Sequence, residues 1–359
     1  MDIIYLLKNF IKTGPYFVFF LIIYFSFDVK SKELNTNNSL DDFKSNYGDY
    51  LAGSYAVQLG DAENASRFYK KIIINNPENF DLKITTIKLL LISGSINEAK
   101  EILYSIKKDE LNLTNYEIIK IFSIVIDAKE KKYETAIKKL ANISEEGLGQ
   151  FLKPILFSWL YTSQGKEKKL INSIEKLDES SKFVAFNKYH KALIYDLIDH
   201  DETINCYKEL VENDETRSIR AVQAYALFLR RIGKQKKSEE VLNNYLNLNS
   251  TNPILQQARH NYFSKKLKRN VSNTNQGLAE VFYATAKALS DTEDFELSVI
   301  FTRFALILRP GSNITNILLN EILEQKGKWN LAITPLKRIE SDTPLGEYSI
   351  IKISRNLNR

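Results

Sequence analysis

The feature that most constrains this chain is a pattern that recurs at an interval of 34 residues. Gly60 and Gly94 lie 34 positions apart, and an alanine follows each of them five positions later. The same interval separates Pro310 from Pro344 near the carboxyl end. Repeats of this length are built from two helices, and one such pair cannot bury its apolar face without a neighbour. The sequence therefore predicts a stack of short helix pairs.

The first unit shows why each repeat is expected to contain two helices. Residues 50–57 place small side chains at helical spacing, which lets a partner helix approach closely. Gly60 then suits the left-handed turn that joins antiparallel helices. Residues 62–75 carry apolar side chains at positions i, i+3, i+4 and i+7, as in a helix with one buried face. Pro77 ends this helix, because proline disfavours helical geometry in the preceding residue.

The segment Leu51–Pro77 resembles the tetratricopeptide repeat. That pattern has a small residue in helix A, glycine at the turn, alanine and an aromatic residue in helix B, and then proline. Gly94–Leu103, Gly233–Leu242 and residues 327–344 match it as well, while the middle of the chain departs from it. The resemblance implies an all-α fold, a right-handed superhelical solenoid of antiparallel helix pairs. In such a fold the A helices line a concave groove that binds peptide segments.

The first 31 residues are predicted to be a targeting segment. Residues 16–27 form an uncharged apolar run behind Lys8 and Lys12. Twelve helical residues span about 18 Å, short of the ~30 Å hydrocarbon core, as is typical of a signal peptide. We expect cleavage after Ser31, and the alternative is an uncleaved membrane anchor over residues 11–27. Both alternatives predict a periplasmic location, free or anchored to the inner membrane.

The rest of the chain is predicted to form two blocks of repeats. Residues 32–263 hold about six units, with degenerate ones in the middle. Residues 264–277 lack a helical apolar stripe and are rich in asparagine, so we expect a polar basic linker. Its basic cluster either binds an acidic partner or lipid headgroups, or is only solvated. The members of the cluster are Lys265, Lys266, Lys268 and Arg269. Residues 278–359 are expected to form further repeats and to end in an unpaired helix.

The order of the sequence features along the chain restricts the resemblance to one group of tetratricopeptide proteins. A leader, a Tyr-Leu-Ala-Gly opening repeat at residues 50–53, a polar break and a Leu-Arg-Pro repeat at residues 308–310 follow one another. This order is similar to that of a group of exported bacterial tetratricopeptide proteins. The resemblance implies a protein of the bacterial cell envelope.

The composition excludes most kinds of catalytic centre. A single cysteine rules out a disulfide framework, an iron–sulfur cluster and a thiolate zinc site, and three histidines leave little material for a metal enzyme. Cys206 and His200 lie close in sequence, but acidic residues beside His200 disfavour a thiolate. We therefore predict no enzyme activity and no cofactor. The net charge of +6 comes from 50 basic and 44 acidic residues spread along the chain, which argues against nucleic-acid binding.

Candidate partner-binding residues lie on A helices, on the side that faces away from helix B. One helix supplies Arg220, Gln223, Arg230 and Arg231, and its guanidinium groups suit pairing with carboxylates. The alternative for each of these residues is a solvated helix face.

Three further residues are candidates for the same groove. Trp159 either faces the groove or packs in the core, since a large aromatic residue at helical spacing fits both positions. Tyr283 and Lys287 occupy the analogous face of a later unit.

The leading functional hypothesis is a non-catalytic scaffold that binds protein or peptide partners in its concave groove. The first alternative is a structural adaptor or assembly factor for an envelope complex, which docks through its convex face or its terminal helix. The second alternative is an accessory subunit of an enzyme encoded elsewhere.

Overall fold

The computed structural model describes residues 47–107, 110–111, 116–165, 167–178, 183–248, 252–263, 269–292 and 294–359. Within these ranges the regular elements are eighteen α-helices, and no strand occurs among them. The predicted all-α fold is thus confirmed for this part of the chain. The predicted targeting segment at residues 1–31, with its apolar stretch 11–27, lies outside the described residues, as do Lys265, Lys266 and Lys268. In the described ranges, every helix lacks either the length or the apolar character that crossing a membrane requires.

The first block consists of six helix pairs and one further helix. The pairs are α1 (Tyr47–Gln58) with α2 (Ala62–Asn75), α3 (Phe80–Ser93) with α4 (Ile96–Tyr104), α5 (Glu117–Lys129) with α6 (Tyr133–Ala141), α7 (Leu148–Thr162) with α8 (Glu167–Asp178), α9 (Val184–Leu197) with α10 (Thr203–Glu212), and α11 (Ile219–Arg231) with α12 (Gln235–Leu248). Helix α13 (Pro253–Phe263) follows them.

The second block consists of two helix pairs and a last helix. The pairs are α14 (Thr274–Ser290) with α15 (Phe295–Leu308), and α16 (Asn313–Gln325) with α17 (Trp329–Leu336). Helix α18 (Pro344–Leu357) ends the described chain. The two helices of every pair pack against each other, as the 34-residue interval predicts.

The turn inside a helix pair requires a residue with left-handed backbone geometry. Gly94 has φ +93°, and both its N–H and that of Ser95 donate to the carbonyl oxygen of Leu90, at 2.9 and 2.8 Å. Glycine adopts this geometry without steric cost, which explains the regular glycines in the sequence. Where glycine is lost, Lys131 and Asp199 take the same geometry, with φ +61° and +56°. The degenerate middle units therefore keep the turn of the matching units.

The second block packs against the A helices of the first block. Helix α14 contacts α7 and α9, and α15 contacts α3 and α5. We call this surface of α3, α5, α7 and α9 the inner face. The rings of Phe122 in α5 and Phe304 in α15 stack there, with centroids 5.8 Å apart. One apolar core joins residues of both blocks, from Ile84 to Ala332.

The inner face therefore differs from the open groove that the sequence analysis expects. The physical reason lies in α15, where nine of the fourteen residues are buried. A helix that is apolar on most sides must be covered on most sides, and the A helices of the first block cover it. The chain thus fills its own inner face with α14 and α15.

The described part of the predicted linker is packed against the protein. Arg269 donates to the carbonyl oxygen of Leu197 at 2.8 Å and pairs with Asp199 at 2.6 Å. Val271 is buried, and α14 begins at Thr274 because the side chain of Asn273 accepts a hydrogen bond from the N–H of Gln276. The last four residues of the predicted linker are therefore helical. Polar residues without an apolar stripe here cap a helix rather than separate two domains.

Candidate functional site

Arg220, predicted to face a groove, lies in a buried charge network between α11 and α14. Its guanidinium pairs with Glu280, whose side chain is only 3% exposed. Glu280 also accepts hydrogen bonds from Arg309 at 3.1 Å and from the hydroxyl of Tyr189 at 3.3 Å. Gln223 accepts a further hydrogen bond from Arg220 at 2.6 Å. The network ties α9, α11 and the end of α15 to α14.

The charges in this network shift the pKa values of its members. Burial lowers the pKa of Arg309. Burial alone would also lower the pKa of Arg220, but Glu280, Tyr189 and Tyr283 together outweigh it and the net shift is upward. Burial, with the Glu280 charge beside it, raises the pKa of Tyr189 well above its ordinary value. Arg220 therefore stays charged and paired inside the protein.

Arg231 and Arg230 also have partners within the chain. Arg231 pairs with Asp196, which accepts a hydrogen bond from the hydroxyl of Tyr207 at 3.2 Å. The guanidinium of Arg230 lies 4.7 Å from the ring centroid of Tyr262. These contacts join α11 to α9 and to α13.

Trp159 packs in the core, one of the two alternatives that the sequence leaves open. It is fully buried, and its Nε1 donates to Nδ1 of His190 at 3.0 Å. Burial lowers the pKa of His190 to about 3, so the imidazole is neutral. Its Nε2 atom has no hydrogen-bond partner among the described residues. Gly277 of α14 lies directly against the indole ring of Trp159.

Tyr283 and Lys287 lie on a different surface of α14, near Glu321 of α16. Burial raises the pKa of Tyr283 to about 12, with Arg220 acting against the shift and Glu280 and Glu321 adding to it. Lys287 pairs with Asp291 of its own helix at 3.2 Å. Lys287, with 44% of its side chain exposed, therefore lies on open helix surface, whereas Tyr283 is partly buried.

A cavity of about 530 Å³ opens between α16 and α18. We call it the C-terminal groove, and its lining consists of Glu321, Glu324, Gln325, Trp329, Lys352, Arg355, Asn356 and Arg359. Lys352 pairs with Glu324 at 2.6 Å across the two helices. Arg359 lies over the ring of Trp329, 5.2 Å from its centroid.

The repeat register connects this groove to the predicted residues. Lys287, Glu321 and Arg355 follow one another at intervals of 34 positions, on α14, α16 and α18. Equivalent positions of neighbouring repeats lie side by side in a helical stack. Lys287 is among the predicted site residues, whereas Glu321 and Arg355 are not. The 34-residue interval, counted forward from Lys287, is the sequence signal that could have predicted both residues.

The described residues offer no constellation for metal or thiol chemistry. No group of three or more histidine, cysteine, aspartate or glutamate side chains there has the spacing to hold a metal ion. His200 stacks on Tyr195 at 4.0 Å, and its Nδ1 accepts a hydrogen bond from the N–H of Glu202 at 3.1 Å. Cys206 is partly buried against the core.

Comparison with known proteins finds likenesses among solved structures alone. No protein-family model matches the sequence, and no curated protein matches it. Among solved structures, the chain is similar to the crystal structure of the TPR domain of P58(IPK) at 2.5 Å. The likeness has 16% identity over 89% of this chain and 90% of that chain, with a TM-score of 0.24. At that TM-score the two chains do not superpose as wholes, so the repeat assignment here rests on this chain's own helix pairs and contacts.

Proposed function

We propose that this protein is a non-enzymatic repeat scaffold of tetratricopeptide type that binds polypeptide partners, with its helix pairs following a right-handed superhelical path. The support is a fold built from stacked helix pairs, an architecture that presents an extended surface for binding. The predicted residues Arg220, Gln223, Arg231 and Trp159 have partners inside the chain. The proposed surface therefore lies elsewhere.

The C-terminal groove is the surface that we favour as the partner-binding site, and the proposal rests on it. It combines a cavity of about 530 Å³ with charged groups of both signs and an indole ring. Concave sites with a few convergent polar groups and aromatic walls are the usual binding sites of proteins. Unlike the inner face, this groove is not filled by another described helix.

Site-specific photo-crosslinking in the source cells tests the proposal. A photoreactive residue at Gln325, which lines the groove, is expected to give a discrete protein adduct that Trp329→Ala, which removes the aromatic wall, diminishes. The matched control is the same residue at Asn330, an exposed position on α17 outside the groove lining. Absence of an adduct at Gln325, or an adduct that persists unchanged in Trp329→Ala, would contradict the proposal.

A second candidate function, a structural adaptor, is favoured by the surface of α1. This helix and the residue after it expose an apolar stripe at four-residue spacing, in which Leu51, Tyr55 and Leu59 are 66%, 61% and 59% exposed. Exposed apolar surface of this kind is typical of an interaction site. An adaptor predicts that Leu51→Glu with Tyr55→Glu removes the protein from a larger envelope assembly in native gels. Unchanged migration would contradict it.

The envelope location is part of the proposal and rests on residues 1–31. Mass spectrometry of the protein purified from its source cells tests it. A start at Lys32 supports a cleaved signal peptide, and an intact start in the membrane fraction supports an anchor. An intact start in the cytosolic fraction would contradict both.

A further inference from the structure

We propose that the C-terminal groove receives a basic side chain, lysine or arginine, of a partner peptide, with Glu321 as its counter-ion. The inference rests on the proposed function and names the chemistry of the partner at that same site.

The first observation is that Glu321 lacks a partner. Its carboxylate makes no hydrogen bond and no ion pair with the described residues, although it lines the cavity between α16 and α18. The two lysines whose charges act on Glu321 both form ion pairs with other carboxylates. Lys352 pairs with Glu324 at 2.6 Å, and Lys287 pairs with Asp291 at 3.2 Å. Among the described residues, Glu321 is therefore the carboxylate of the groove that no cation pairs with directly.

The second observation is that Glu321 is partly buried, so its surroundings withdraw it in part from water. Burial raises its pKa, although Lys287 and Lys352 act in the opposite direction. A partly desolvated carboxylate gains more from an incoming cation than a fully hydrated one does, because part of its hydration is already lost. The groove is thus prepared to bind a positive charge at this position.

The third observation is an aromatic wall that accepts cations. The indole of Trp329 lines the same cavity, and the guanidinium of Arg359 already lies over its ring. An ammonium or guanidinium group placed against an indole face is attracted by about 0.5–2 kcal/mol. The cavity of about 530 Å³ is larger than one side chain, so it also accommodates the peptide backbone on either side.

The remaining cations of the groove do not favour an acidic occupant of the cavity. Lys352 is neutralised by Glu324, and Arg359 lies on Trp329. Arg355 is exposed, where solvent screens its charge. An acidic residue would meet Glu321 in the cavity, and the two carboxylates would repel each other.

Peptide titration of the full-length protein in mild detergent tests the inference. The probes are three alanine-based nonapeptides that differ at the central residue, which is arginine, glutamine or glutamate. Binding is followed through the emission of Trp329, since the other tryptophan, Trp159, is buried. We expect the arginine peptide to bind at least about tenfold more tightly than the glutamine peptide. This preference should fall to about twofold or less in Glu321→Gln. Affinity for the arginine peptide should also rise with pH as Glu321 ionises.

The matched control is Glu215→Gln, which removes an exposed carboxylate in the loop between α10 and α11 and should leave the preference unchanged. Equal binding of the three peptides, tighter binding of the glutamate peptide, no binding at all, or an unchanged preference in Glu321→Gln would each overturn the inference. The proposed function fails separately, through loss of the adduct at Gln325. An adduct that depends on Trp329 but not on Glu321 would leave the scaffold role standing and overturn the basic partner alone.

Discussion

Gly277 and Trp159 are in direct contact, and a Cβ atom placed on Gly277 would lie 2.0 Å from Cε3 of the Trp159 indole. The contact joins α14 of the second block to α7 of the first block. Only a residue without a side chain lets the helix backbone approach the ring this closely. The contact explains how α14 packs closely against the inner face.

We expect Gly277→Ala to destabilise the protein by about 1–3 kcal/mol, because the added methyl group overpacks a rigid indole. The measurement is the free energy of unfolding from urea titration. Gly48→Ala is the matched control, since a Cβ at this helical glycine meets nothing within 4 Å. Equal stability of the two variants would show that α14 does not lie against Trp159.

Removal of Glu280 should lower the free energy of unfolding strongly, because a buried charge loses its partner. Glu280→Ala leaves the guanidinium of Arg220 without its buried partner, and breaking such a pair costs about 3–5 kcal/mol. The control is Glu240→Ala, which breaks an exposed pair with Lys237 and should cost less than about 1 kcal/mol. Thermal and urea unfolding measure both. Similar losses in the two variants would contradict the buried network.

The stability of the protein should depend on pH through His190. Its pKa is about 3 in the folded protein, whereas an unfolded histidine titrates near 6.5. As the pH falls, the unfolded state therefore takes up the proton first. The stabilising contribution is present above about pH 6.5 and is lost progressively as the pH falls toward 3.

His190→Gln removes this titration. Between about pH 6 and pH 4, the free energy of unfolding of the variant should fall less steeply than that of the parent, by about 1.4 kcal/mol per pH unit for the one proton. Urea titrations of both proteins at each pH measure the difference in slope. Parallel pH profiles would mean that His190 is protonated in the folded state.

The two tryptophans should respond differently to a soluble quencher. Trp159 is fully buried, whereas Trp329 lines the C-terminal groove. In Trp329→Phe the remaining indole should emit at short wavelength and resist acrylamide. In Trp159→Phe the remaining indole should be quenched readily. Equal quenching constants in the two single-tryptophan variants would contradict the assignment of one to the core and the other to the groove.

The helix pairs were predictable because their signals are local. Gly60 and Gly94 mark turns by their backbone geometry, and Pro77 follows the end of α2. Lys131 and Asp199 keep the geometry without the glycine, so the middle units looked more divergent than they are.

The packing of the second block could not be predicted from the repeat. Periodicity specifies contacts between neighbouring units, and the contact between Gly277 and Trp159 joins distant ones. Arg220 shows the consequence, since its position on an A helix suggests an open groove whereas Glu280 covers it. Among the predicted residues, Lys287 points to the C-terminal groove, because Glu321 and Arg355 occupy the same position in the two following repeats.

The central claim, that α14 lies in the inner face of the first block, is tested most directly by a disulfide crosslink. The hydroxyl oxygens of Thr162 in α7 and Thr274 in α14 are 2.8 Å apart. In a Cys206→Ala background, Thr162→Cys with Thr274→Cys should form an intramolecular disulfide almost completely under mild oxidation, as measured by mass spectrometry. The control pair, Thr162→Cys with Ser290→Cys, places the second thiol about 24 Å further along α14 and should stay reduced. A reduced Thr162–Thr274 pair, or equal oxidation of both pairs, would contradict the account.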